Sequence, residues 1–212
     1  MSRARHYDWR AASWTALGTV AGVVLFVMVV RHGLGWDVEA ASRSPLATRE
    51  RGGPGYAGWL GSFGVLGWTL SAAITALGAT VMRRRHRPLE ARFLAASTVL
   101  SAGLSLDDLF MVHSTLAPQY LGIPKPAVLL GIVAVVALWA LVFRVRLLDD
   151  PDLPILVWAI GFAALALWID GYGPPFGWGG VREEAAKLIG VATWLIFFWR
   201  TTLRSIDGRE RG

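Results

Sequence analysis

The stretch LAASTVLSAGLSLDDLFMVHS, residues 94–114, decides how this chain is interpreted, because it is an apolar run of membrane-spanning length that contains two adjacent acids. A helix of about 20 residues crosses roughly 30 Å of hydrocarbon. An ionisable group inside such a helix costs kilocalories, and it usually marks a functional site. The stretch therefore predicts a transmembrane helix, and Asp107 and Asp108 are its first candidate functional residues.

Composition places the whole chain among membrane proteins. Of its 212 residues, 54% are hydrophobic and only 17% are charged, whereas roughly 25% of a soluble protein is charged. Backbone polar groups cannot stay unpaired in lipid, so long apolar runs are expected to be helical. We predict an all-α, polytopic six-helix bundle that forms a single integral membrane domain over residues 1–212. The six predicted spans cover residues 13–31, 56–82, 92–114, 127–146, 154–171 and 182–200.

The basic residues orient this predicted bundle. Fourteen of the 21 Lys and Arg residues lie in or next to the two tails and the loops that follow the second and fourth spans, against six in the alternate loops. The positive-inside rule then places both termini in the cytoplasm, in a bacterial-type cytoplasmic (inner) membrane. The net charge of +6 does not indicate nucleic acid, because the arginines cluster where anionic lipid headgroups explain them. Membrane lipids are the expected partners, and a homo-oligomer is an open alternative.

Small residues predict where helices pack closely. Gly18 and Gly22 form a GxxxG pattern in the first span, and glycines recur every three residues from Gly58 to Gly67 in the second. Lipid gives little hydrophobic drive for helix association, so close approach at small residues contributes to it. The long loop at residues 32–54 could hold a short amphipathic helix.

Polar side chains from three predicted spans converge at the extracytoplasmic end. At about 1.5 Å per residue, Asp107 lies about 8 Å below the outer boundary, Lys187 about 10 Å and Glu183 about 5 Å. Asp170 and His113 lie close to the same edge. The sequence therefore predicts a pocket that opens to the outside between the third, fifth and sixth spans. Its predicted members are Asp107, Asp108, His113, Asp170, Glu183, Glu184 and Lys187.

Helical phase predicts which of these groups can meet. Ser97, Ser101, Ser105 and Asp108 fall on one face of the third span, at steps of four, four and three residues. Asp107 falls on an adjacent face, so the two aspartates are expected to face different neighbours. Glu183 and Lys187 are separated by four residues and can form an ion pair.

The first functional hypothesis is a membrane-embedded enzyme, hydrolytic and metal-assisted, that acts on a lipid or extracytoplasmic substrate. Carboxylates with a histidine suit a hard or borderline divalent cation, which lowers the pKa of bound water. Without cysteine, a thiolate metal site and a Cys nucleophile are excluded. The catalytic candidates are Asp107, Asp108, Glu183, Glu184 and Lys187, and the candidate metal ligands are Asp108, His113, Asp170 and Glu184.

Two other hypotheses stay open from sequence alone. Intramembrane acids also serve as proton relays and ion sites, so the chain could be a transporter or channel subunit for protons, cations or small solutes. It could equally be a non-catalytic membrane subunit or assembly factor, with the outer acids binding a partner.

Overall fold

A computed structural model describes residues 7–42, 54–172 and 179–208. Within those ranges the chain is helical, with no strand. The elements are α1 (Trp9–Met28), which continues into a π-helical turn (Val29–Gly33), α2 (Val38–Ser42), α3 (Trp59–Arg84), α4 (Pro88–Phe110), followed by a second π-helical turn (Val112–Leu116), α5 (Ala117–Tyr120), α6 (Lys125–Val142), α7 (Arg144–Leu148), α8 (Leu153–Tyr172) and α9 (Gly179–Asp207).

Five helical segments are long and apolar enough to cross a membrane. They cover Trp9–Gly33, Trp59–Arg84, Pro88–Phe110, Lys125–Val142 and Leu153–Gly171. Each overlaps a predicted span, so the prediction of an all-helical chain with several segments able to cross a membrane is confirmed. The predicted sixth span lies within α9, which is 29 residues long but does not meet the same measure of apolar composition, because charged residues flank its apolar middle.

The surface of α6 is strongly apolar. Leu130, Leu138 and Val142 expose 70%, 61% and 64% of their area. Large exposed apolar patches are rare on soluble monomers. This helix therefore has the surface of a lipid-facing span rather than of a helix in a water-soluble core.

The chain divides into two compact units. The first comprises residues 1–7, 65–153 and 195–212. Its centre is aromatic: the rings of Phe93 and Trp139 stack at 5.8 Å, and Phe198 lies 6.3 Å from Phe93. Phe93 and Phe198 are completely or almost completely buried, so this cluster joins α4, α6 and α9 within the unit.

The second unit comprises residues 8–64 and 154–194. An apolar cluster of buried residues joins α1, α2, α3 and α9, and its members are Val30, Val38, Ala41, Leu60, Val181 and Leu188. The predicted short helix in the first loop corresponds to α2. Trp36, just before α2, stacks on Tyr56 at 4.6 Å, so residues on the two described sides of this loop are in contact.

Glycine packing differs from the prediction at one end of the chain. A Cβ atom added to Gly18 or Gly22 would meet nothing within 4 Å, so the GxxxG pattern of α1 makes no close helix contact in the described residues. Gly190 is the better example, since an added Cβ would lie 3.2 Å from backbone atoms of Ala159 and Ala163 on α8. Close approach of two helices thus occurs at Gly190 on α9, which is not part of a GxxxG pattern.

Replacing Gly78 by alanine is expected to destabilise the first unit by about 1–3 kcal/mol, because the added methyl group would overpack the site. An added Cβ would lie 2.7 Å from Thr202 Cγ2 and 3.0 Å from Leu94 Cδ1. Both neighbours are buried. Gly103→Ala is the matched control, since that position is open and alanine favours a helix by about 1 kcal/mol. Thermal unfolding in detergent should show the two variants moving in opposite directions; equal shifts would contradict the packing.

Candidate functional site

The end of α4 brings Asp107 and His113 together. Met111 adopts a left-handed conformation, with φ of 52°, which ends α4 before the π-helical turn Val112–Leu116. Asp107 Oδ1 then accepts the backbone N–H of His113 at 3.0 Å, and Oδ2 lies 2.6 Å from His113 Nδ1. The carboxylate therefore binds the chain that follows α4, within the last residues of the predicted span at residues 92–114.

This geometry fixes how the imidazole is protonated. An ionised carboxylate only accepts hydrogen bonds, so Nδ1 of His113 carries the proton and Nε2 is the atom that can take up another. His113 lies beyond the span Pro88–Phe110. The hydrogen bond to Asp107 raises its pKa above the ordinary 6.5; burial and Lys125 oppose this, and the charges of Asp107 and Asp108 add to it. The pair is thus an oriented acid/base centre.

Asp108 faces a different neighbour, as predicted. Its Oδ2 accepts a hydrogen bond from Trp68 Nε1 of α3 at 3.1 Å. Trp68 is almost fully buried. The indole therefore holds this carboxylate against α3, while Asp107 points toward the π-helical turn.

The predicted serine face of α4 is buried against its neighbours. Ser97, Ser101 and Ser105 expose between 0% and 8% of their area. Ser105 shares a 2.8 Å hydrogen bond with Thr69. Deeper along α3 and α4, Thr98 donates to Thr75 at 3.0 Å. Hydroxyl groups thus line the contact between α3 and α4 from Asp108 inward.

The second unit holds the remaining predicted site residues. Lys187 Nζ lies 2.9 Å from Glu184 Oε1. The sequence predicted that Lys187 can pair with Glu183; the structure shows an ion pair with Glu184, three positions before the lysine. A Cβ added to Gly61 would lie 3.9 Å from both carboxylate oxygens of Glu184, so the acid lies against α3. Asp170 and Glu183 are half-buried.

The predicted residues thus fall into separate groups. Asp107, Asp108 and His113 belong to the first unit, and Asp170, Glu183, Glu184 and Lys187 to the second. Over the three described ranges, no group of three or more His, Asp and Glu residues is arranged to hold a metal ion. The metal site of Asp108, His113, Asp170 and Glu184 stays a prediction without structural support.

Sequence reasoning missed a cluster of charges in the first unit. Asp150 and Asp152 expose only 1% and 3% of their area. Arg204 bridges both carboxylates, binding Asp150 at 2.5 Å. Arg200 Nε binds Asp152 at 2.8 Å, and Arg146 Nη1 binds Asp150 at 3.0 Å. Buried carboxylates need such partners, because an unpaired charge in a protein interior is costly.

The signal for this cluster was present but ambiguous. The sequence DDPD at residues 149–152 is typical of an exposed turn. Arg200 and Arg204 are one helical turn apart on the same face, which would suit two neighbouring acids. Nothing in the sequence pairs these two segments, which lie about 50 residues apart.

Comparison with curated proteins and with solved structures gave no match. A family model described as "Domain of unknown function (DUF8692)" matches residues 14–201. That range includes every predicted span but the first residue of the first, together with the Asp107–His113 pair and most of the charged cluster. The chain belongs to the DUF8692 family.

Proposed function

We propose that the protein is a six-span bundle in a bacterial-type cytoplasmic membrane, with both termini in the cytoplasm. Five apolar segments and the distribution of arginine support it. The proposal adds α9 as the sixth span: at about 1.5 Å per residue its 29 residues extend about 43 Å, more than a membrane requires.

Cysteine labelling tests this topology directly, because the chain contains no native cysteine. The cysteines introduced by Ser2→Cys, Arg84→Cys and Asp207→Cys should react with a membrane-impermeant maleimide only after the cells are opened. Gln119→Cys should react in intact cells. If Ser2→Cys and Asp207→Cys react from opposite sides, α9 does not cross and the sixth span is wrong.

We further propose that the protein is a membrane-embedded enzyme whose acid/base centre is the Asp107–His113 pair, acting on a lipid or extracytoplasmic substrate. The observation that carries this is the 2.6 Å contact between the carboxylate and Nδ1. A carboxylate that orients an imidazole leaves Nε2 positioned to exchange a proton with a reacting group. The half-buried pair joins Asp107, in the last turn of the candidate span Pro88–Phe110, to His113 just beyond it, where such substrates are accessible.

The experiment compares hydrolysis by the reconstituted protein with that by a matched histidine variant. Liposomes with and without protein would receive chromogenic acyl and phosphoryl esters, and the vesicle lipids themselves would be analysed for cleavage. Wild type and His32→Gln should be active and His113→Gln inactive. Equal hydrolysis by wild type and His113→Gln, or none above empty liposomes, would refute this proposal.

The hydroxyl-lined contact between α3 and α4 favours a second candidate, a proton or cation transporter. Thr69, Ser105, Thr75 and Thr98 form hydrogen bonds along it, and such groups can relay protons toward an acid such as Asp108. Vesicles with a trapped pH indicator would then show proton flux that Asp108→Asn abolishes. A protein without hydrolysis and flux, but with a partner that survives gentle extraction, would instead be a membrane subunit or assembly factor.

A further inference from the structure

A cavity of about 700 Å³ lies between α3 and α4, in the first unit, at the ends of the helices joined by the turn at residues 85–87. We propose that this cavity binds the headgroup and upper acyl chains of an anionic phospholipid. It is lined by the basic residues Arg83, His86, Arg87 and Arg92 and by alanines of both helices, which include Ala76 and Ala95. The proposal rests on α3 and α4 being membrane spans, not on the acid/base pair.

Charge and polarity separate along this cavity. Arg83, His86, Arg87 and Arg92 lie toward the connecting turn, and the described lining residues include no acid. Alanines of both helices form the deeper wall. A cationic mouth above an apolar wall matches a phosphate headgroup attached to hydrocarbon chains, and basic pockets between transmembrane helices bind such lipids.

The backbone of the turn fixes the positions of these basic residues. His86 has a φ of 56°, which reverses the chain directly after α3. Arg85 donates from Nη1 to the backbone carbonyl of Ile206, tying the turn to the end of α9. Arg87 precedes Pro88 at the start of α4, so its backbone is fixed next to the mouth.

The surroundings favour a lipid over a soluble anion. Both walls belong to segments that can span a membrane, and Ala95 and Leu77 are exposed along them. In a bilayer these positions face acyl chains, which a free phosphate does not supply. The volume also exceeds what a single phosphate ion needs and lies within the roughly 300–1,000 Å³ of typical ligand sites.

Native mass spectrometry of the full chain in mild detergent tests the proposal, with phosphatidylglycerol and phosphatidylcholine added at matched concentration. Wild type should retain one phosphatidylglycerol in preference to phosphatidylcholine. Arg83→Gln and Arg87→Gln should each weaken its binding roughly five-fold, as expected for one basic residue near a lipid headgroup. Ala95→Phe should weaken it without changing any charge, because the ring occupies the acyl-chain wall.

Arg84→Gln is the matched control, since Arg84 is the last residue of α3, directly before the same turn, and is not among the described residues that line the cavity. It should bind phosphatidylglycerol as wild type does. An equal loss in Arg84→Gln and Arg87→Gln would overturn the proposal by showing attraction to surface charge alone. Binding unaffected by Ala95→Phe, or inorganic phosphate competing as well as phosphatidylglycerol, would overturn it by showing an anion site without a lipid wall.

Discussion

Replacing Arg204 by glutamine is expected to lower the free energy of unfolding by about 3–5 kcal/mol. This guanidinium contacts both Asp150 and Asp152, and both carboxylates are almost completely buried. Glutamine keeps most of the side-chain length but removes the charge, so two buried acids would lose their shared partner. Breaking a buried ion pair on one side costs more than the pair contributes, because the remaining charge stays desolvated.

Thermal unfolding of the purified protein, followed by tryptophan fluorescence, measures this effect. Arg200→Gln provides the matched comparison, since Arg200 contacts only Asp152 among the two acids in the described contacts and its side chain is 42% exposed. More exposed ion pairs contribute about 1 kcal/mol or less, so the Arg200 variant should lose much less stability. Equal losses in both variants would show that Arg204 has no bridging role.

Removing the Asp107–His113 pair is expected to lower the proposed activity by about 10²- to 10⁴-fold, the usual contribution of general acid–base catalysis. His113→Gln deletes the proton acceptor. Asp107→Asn keeps an oxygen for the backbone N–H of His113 but loses the negative charge that orients and stabilises the protonated ring. Both variants should therefore lose activity, with Asp107→Asn retaining the larger residual rate.

The pH dependence separates catalysis from a purely structural role. Since the Asp107 hydrogen bond raises the pKa of His113 above 6.5, a rate that needs the neutral imidazole should increase with pH through a midpoint above that value. Asp107→Asn should move this midpoint down. The stabilisation that the pair gives the folded state changes with pH in the other direction from the rate. It is complete below the unfolded pKa of about 6.5 and is lost as pH rises through the folded pKa. A midpoint that does not move would argue against the pair.

Helical periodicity was sufficient to predict features that depend on a single helix, such as which side chains share a face. The step of four residues from Ser97 to Ser101 and Ser105 predicted that all three lie on one face of the helix. In the structure all three are buried. The end of α4 could not be predicted in the same way. Apolar residues continue to Val112, and nothing in their spacing indicates the left-handed Met111 that ends α4 or the hydrogen bond from the His113 N–H back to Asp107.

Contacts between distant segments were beyond the reach of such patterns. Asp150 and Asp152 have the local sequence of a solvent-exposed turn, and only the packing of α9 against that turn shows that they are buried. The same limit applies to the ion pair between Glu184 and Lys187, which was not predicted from the sequence. Composition and spacing thus predicted the helices, while the partners of the ionisable groups required coordinates.

The charged cluster also imposes an order on biosynthesis. A ribosome delivers Asp150 and Asp152 well before Arg200 and Arg204, so for some seconds the nascent chain holds two acids with only Arg146 available among their cationic partners. During that interval the segment has to remain hydrated, and its closure awaits the insertion of the final helix. A product terminated before Arg200 could never form the ion pairs of Asp150 and Asp152 with Arg200 and Arg204. Such a product would keep the segment exposed to quality-control proteases.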